Sequence, residues 1–142
     1  MAVFSLHRFI VVINGVTFDE WDASTDSFSF TPLADKMAFV ESFGSHIFID
    51  TGSRAYVLQI KLPQHSALQK TMRDWANQQD RDISSINFTL RAFDPINGDE
   101  ITGAKGQIQT ASGVVRGNGH NPNTWSIVFP VSNIKESQTN QG

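Results

Sequence analysis

The sequence contains no cysteine, which excludes a disulfide framework, thiolate metal sites and cysteine nucleophiles, and fits assembly in a reducing cytoplasm. It also lacks a long apolar run. The longest, Phe9-Ile10-Val11-Val12-Ile13, falls far short of the roughly 20 residues of a bilayer span or the roughly 7 to 15 of a signal-peptide core. The chain is therefore expected to be neither anchored in a membrane nor exported by that route. Basic charge is sparse as well: 11 Lys plus Arg stand against 14 Asp plus Glu, a net charge of -3. Phosphate neutralisation needs clustered cations, and these lie scattered from Arg8 to Lys135, so generic nucleic-acid binding is disfavoured. The deficit is uneven, because residues 1–50 carry 2 basic and 7 acidic side chains and residues 51–142 carry 9 and 7.

What is present is a globular composition. With 142 residues, 39% hydrophobic and 11% aromatic, the chain has one domain's worth of core and none of the charge excess of disorder. Its dominant pattern has a period of two, the mark of strands with one face on a core. Residues 6–13 and 16–21 flank Asn14-Gly15, the dipeptide best suited to a type I′ hairpin because both positions tolerate positive φ. Residues 26–31 alternate Phe28 and Phe30 against serines, residues 43–50 alternate Phe43, Ile47 and Ile49 against Gly44, His46 and Asp50, and residues 54–62 alternate Tyr56, Leu58, Ile60 and Leu62 against polar partners. Each reads as a strand.

At Pro63 the period becomes helical. Ser66 is a good N-cap with Gln69 three residues on, the capping-box pairing, and Leu68, Met72 and Trp75 follow along one face. An amphipathic helix over residues 66–78 is predicted, with Gln69, Lys70, Arg73, Asn77 and Asp80 on its polar side, closing one end of the core. Strands resume over residues 86–93 and, after the turn at 94–99, over 101–110; a Gly/Asn-rich loop at 113–123 precedes a last strand through Trp125, Ile127, Phe129 and Val131. The tail from Lys135 is polar and expected to fray. The sum is a mainly β fold: an antiparallel sandwich or barrel of roughly seven or eight strands with one helix. Residues 9–13 are apolar at every position, so both faces of that strand must leave water, although only one can meet the chain's own core.

Chemical constellations are weak. His46 and Asp50 share a strand face, but strand rise puts them roughly 13 Å apart, too far to chelate one ion. His7, His65 and His120 sit at element ends or in loops. No serine lies in a nucleophile elbow, and the pairs Asp19 with Asp22 and Asp80 with Asp82 occupy turns or element ends, where solvated acids are usual. The Gly117-Asn118-Gly119 stretch opens no helix and lacks the Lys-Ser/Thr of a phosphate loop. No cofactor, metal or catalytic residue is expected. A carbohydrate-binding module with Trp21 or Trp125 as stacking platform is the competing class.

Several segments, in order, resemble myophage tail tube proteins: Ser5-Leu6 leading into an apolar strand, Ile13-Asn14-Gly15-Val16, the acidic stretch after Trp21, Phe43-Gly44, the passage from Leu58 through Pro63 to Leu68, Asp94 with Asn97-Gly98, Ala104 to Gln109, and Trp125-Ser126-Ile127. The resemblance runs from about residue 3 to residue 134, nearly the whole chain; His65 and residues 117–123 depart from the pattern. It implies a structural virion protein of a contractile tail, a β-sandwich forming hexameric rings that stack into a conduit for DNA ejection. It further implies assembly in the bacterial cytoplasm and contacts with the tail sheath, baseplate and tail terminator proteins, with tape measure protein and DNA in the bore. Tubes of type VI secretion and R-type bacteriocins share the architecture.

Three expectations follow. Phe9, Ile10, Val11, Val12 and Ile13 are subunit-interface candidates through whichever face points outward. Met37, Phe39 and Val40, in a segment joining two strands (residues 33–42), are apolar where a free loop would not want them, and are expected to dock on an adjacent subunit or the next ring. Asp19, Glu20, Asp22, Asp26, Asp35, Glu41 and Asp50 are candidates to face the lumen or the sheath, where negative charge would keep DNA from adhering.

Overall fold

The computed structural model describes residues 9–19, 27–64, 66–95, 98–114, 117–118 and 122–136. Among these described residues, ten strands and one helix follow in the order β1 (Ile10–Ile13), β2 (Val16–Phe18), β3 (Phe28–Pro32), β4 (Met37–Ser42), β5 (Ser45–Asp50), β6 (Tyr56–Leu62), α1 (Ala67–Arg81), β7 (Phe88–Phe93), β8 (Glu100–Thr110), β9 (Asn123–Phe129) and β10 (Val131–Lys135). Asn14 and Gly15 join β1 to β2 with φ of 52° and 81°, the type I′ geometry that matches strand twist. Asn14 also extends the pairing of β1 with β7: its Oδ1 accepts from the Thr89 amide at 2.8 Å.

Eight strands form one antiparallel sheet in the order β2-β1-β7-β8-β9-β6-β3, with β10 beside β8, while β4 and β5 pair only with each other. The large sheet curls onto itself. Phe9 and Phe28, which adjoin opposite margins of that order, meet edge to face at 5.1 Å. Between the curled halves lies the core: Val11, Ile13, Phe88, Leu90 and Ala92 from one side, Leu58, Ile60, Leu62, Trp125, Ile127 and Phe129 from the other.

The curl is made in β8. Its first part pairs with β7 and β10, its last residues with β9, so one strand serves both halves. The switch is a bulge: Phe88 faces Gly106 and Leu90 faces Gly103, leaving one residue too many on β8, and Lys105 takes φ 59°. Glycine is required on either side of it. A Cβ on Gly103 would stand 2.8 Å from the Phe129 ring, and one on Gly106 would stand 2.5 Å from it. Pro130 ends β9 and lets Val131 restart the chain as β10 along β8. Val131 and Lys135 therefore belong to a separate strand rather than to the last strand and a frayed tail, because five consecutive partners on β8 satisfy their backbone. Residues 137–142 lie outside the described residues.

The helix closes one end of the core, one turn longer than the periodicity predicts. Ser66 caps it, its Oγ accepting from the Leu68 amide at 3.1 Å. Leu68, Met72 and Ala76 are buried, and Trp75 meets Phe18 and Phe88. The expected capping-box role of Gln69 is not what forms. Its side chain turns inward instead of joining the polar face, and Oε1 accepts from the buried Trp125 Nε1 at 2.7 Å. An indole N–H left alone there would cost about 1–3 kcal/mol, more than a second cap bond contributes, so the core claims the residue.

Candidate assembly surface

Residues 33–42, expected as a connecting loop, contain a strand. Met37-Ala38-Phe39-Val40 and Ile47-Phe48-Ile49 are rich in branched and aromatic side chains, and they pair in register from Met37 with Asp50 to Ser42 with Ser45. Phe43 and Gly44, at φ 46° and 81°, make the turn, so Phe43 belongs to no strand. The product is a two-stranded arm whose residues are exposed nearly throughout.

Paired residues of an antiparallel ladder share a face, so register assigns the arm two surfaces. One carries Met37, Phe39 and Glu41 with Asp50, Phe48 and His46; its rings cluster, Phe39 lying 5.0 Å from Phe48 and 5.7 Å from His46. The other carries Ala38 and Val40 with Ile49 and Ile47, ending in Ser42 and Ser45. Both carry large apolar side chains and both face solvent: Phe48 is 67% exposed and Ile47 53%. An isolated two-stranded ribbon is marginal in water, and apolar surface of this extent on two sides marks an interaction site.

The root of the arm is pinned. The Thr51 amide donates to Lys36 O at 3.0 Å and its hydroxyl to Asp35 O at 2.6 Å, while the Leu33 amide donates to Ala55 O at 3.0 Å. Asp50 pairs with Arg54 at 2.9 Å and accepts the Gly52 amide at 2.8 Å. Those two hydrogen bonds, the Arg54 one first, hold its carboxyl below the usual carboxylate range. These bonds fix the direction in which the arm leaves the body.

The expected interface residues divide sharply. Phe9, Val11 and Ile13 are buried in the chain's own core, and only Ile10 and Val12 point the other way, half-buried. Period two settles this: the odd positions meet Leu90 and Ala92, while Ile10 lies opposite Phe93 and Val12 opposite Arg91 on the outer face. There the Arg91 guanidinium stacks over Phe93 at 4.3 Å and lies 3.7 Å from Glu100. Met37 and Phe39 occupy one face of the arm and Val40 the other. Asp35 is at the arm's root, Glu41 and Asp50 are on it, and Asp19 follows β2, all exposed; Glu20, Asp22 and Asp26 lie outside the described residues. Pattern reading missed Phe48 and the fully exposed Phe43. The available signal was a glycine between two apolar runs, residues 37–40 and 47–49, obscured by an aromatic where Asn or Asp is usual.

Trp125 has no exposed surface: Gln69 binds its N–H, and Arg73 covers its ring at 4.8 Å, so it is no stacking platform. Trp21 lies outside the described residues. His46 stacks on Phe39 and Asp50 is held by Arg54, so the two are engaged separately. Asp82 caps the end of α1 and is held below its usual range by the Ser84 hydroxyl and amide. Among the described residues no three His, Cys, Asp or Glu stand together as a metal site, and no helix is long and apolar enough to cross a membrane.

No protein-family profile and no curated protein matches this chain. Solved structures share its fold. The tube-terminating cap of an anti-feeding prophage superposes with a TM-score of 0.56 at 10% identity, over 96% of this chain and 93% of that one. The sheath/tube terminator of PVC, an extracellular contractile injection system in its extended state, superposes with a TM-score of 0.56 at 10% identity, over 95% and 98%. A chain of the PVC sheath-tube complex gives 0.48 at 13%, over 94% and 92%. Across nearly its full length, this chain has the fold of the two terminator proteins.

Proposed function

We propose that the protein is the inner tube subunit of a contractile phage tail or a related injection apparatus: a structural, non-catalytic component whose copies join in hexameric rings and stack into a conduit. The observation that carries this reading is the β4–β5 arm, which exposes large apolar side chains on both faces and is held out from a sandwich whose own core is already filled. Such an arm is stable only when neighbours cover it. Support comes also from the fold it shares with proteins that terminate tubes. The outer face of β1, with Ile10 and Val12 beside Phe93, offers a second apolar contact. In the assembly, sheath protein surrounds the tube, baseplate and terminator proteins bound its ends, and tape measure protein and DNA occupy the bore. Acidic residues facing the bore keep DNA phosphates from adhering.

The test is the size of the purified protein at near-physiological salt, by sedimentation and negative-stain microscopy. Tubes or stacked rings are expected, and a monomer at high concentration overturns the reading. A second reading, a cap that ends a tube, is favoured by the terminator superposition, which covers 98% of the PVC chain. Single rings that never stack would select it.

A further inference from the structure

The hairpins β1–β2 and β4–β5 both turn through a type I′ pair, and the central pairs differ in one residue. The leading position is Asn14 in the first (φ 52°) and Phe43 in the second (φ 46°), each followed by glycine at φ 81°. A short polar side chain tolerates left-handed backbone; a bulky L-residue is strained there. Phe43 is also fully exposed, so no packing inside the chain offsets the strain. A strained aromatic displayed in water at the end of an arm has the form of a binding anchor.

A seat for it exists at the other end of the arm. Lys36, Arg54, Tyr56, Ser132, Asn133 and Ile134 line an open cleft of about 270 Å³, room for a phenyl ring. Tyr56 and Ile134 supply apolar surface, and the two cations can lie over an aromatic face. Charge is complementary as well: Glu41 stands two residues before Phe43, and the cleft presents Lys36, which forms no ion pair among the described residues. The arm cannot fill its own cleft, because six ladder pairs hold the tip roughly 20 Å from the root.

We infer that Phe43 of one copy seats in the arm-root cleft of a second copy, with Glu41 set against Lys36 there. The inference rests on the self-assembly proposed above and names its contact. Each copy gives a tip and offers a root, so the contact is heterologous and propagates, as rings and stacks require; a self-complementary patch would stop at a dimer.

The decisive variant is Phe43→Asn, which copies the first turn. It should leave thermal stability equal or higher while raising the concentration needed for assembly at least tenfold. Parent-like assembly by Phe43→Asn overturns the inference. Glu41→Lys and Lys36→Glu should each weaken assembly, and the double variant should restore it; two weakened singles without restoration overturn the proposed seat. Ile47→Asp, on the aliphatic face in the middle of the arm, separates the two levels. If it abolishes assembly while Phe43→Asn does not, the anchor is wrong and the arm reading stands; if neither matters, both fall.

Discussion

Replacing Ile47 with Asp tests the arm where its energetics are simplest. Ile47 is 53% exposed and belongs to the aliphatic face with Val40, 43% exposed, and Ile49, 49% exposed. Full burial of such a side chain contributes about 1.5–3 kcal/mol, so covering the exposed half adds roughly 1 kcal/mol per residue. A carboxylate in its place loses that and must be desolvated at an effective penalty of several kcal/mol unless it finds a partner. A total of at least about 3 kcal/mol per contact corresponds to an association on the order of 100-fold weaker. The free chain should hardly notice, since exposed substitutions change stability by about 0.5 kcal/mol or less. The assay pairs a concentration series by sedimentation or light scattering with thermal melts. A variant that melts like the parent at concentrations too low for either to assemble, and fails to assemble at higher ones, is expected. Assembly at the parent concentration would refute the claim that a neighbour covers this face.

The register of β1 predicts opposite outcomes for adjacent valines. Val11→Asp puts an unpaired carboxylate into a site with no solvent exposure and should unfold the chain, whereas Val12→Asp should keep β-rich circular dichroism and lose assembly. Gly106→Ala forces a Cβ to within 2.5 Å of the buried Phe129 ring and should cost about 1–3 kcal/mol in a denaturant melt; Gly113→Ala, with nothing within 4 Å, should be near neutral. Asp50 has its pKa lowered in the folded chain by Arg54 and the Gly52 amide, so its contribution is present above the ordinary carboxylate range and lost as pH falls through the lowered value. Protection of the arm-root amides, measured against their intrinsic exchange rates, should therefore fall in acid below about pH 4 in the parent, and Asp50→Asn should already show reduced protection at neutral pH.

Much of the fold was legible because period two survives translation into structure. The Asn14-Gly15 turn, the half-buried strands β6, β7 and β9, and a helix capped by Ser66 are local facts, settled by φ tolerance, alternation and capping within a few residues. Where local rules competed with packing, packing prevailed. Gln69 left the helix cap for Trp125, 56 positions away in the chain, and Pro130 broke what reads as one strand into β9 and β10.

The surface was legible only in part. Composition marked Met37, Phe39 and Val40 as apolar residues in need of cover, and the resemblance supplied a use for them. That they form a strand, and that its partner Ile47-Phe48-Ile49 is equally bare, follows from a pairing that leaves the main sheet entirely.

Taken alone, the order of residues determined the class of the fold, its first hairpin, its helix and the absence of thiol chemistry, because each depends on neighbours a few bonds away. Only the tertiary structure decided which side of β1 faces outward, where β8 bends, and that an aromatic stands strained at the tip of an open arm. Those outcomes depend on which strands meet, and strand pairing is a competition between distant segments for the same hydrogen bonds and the same buried volume.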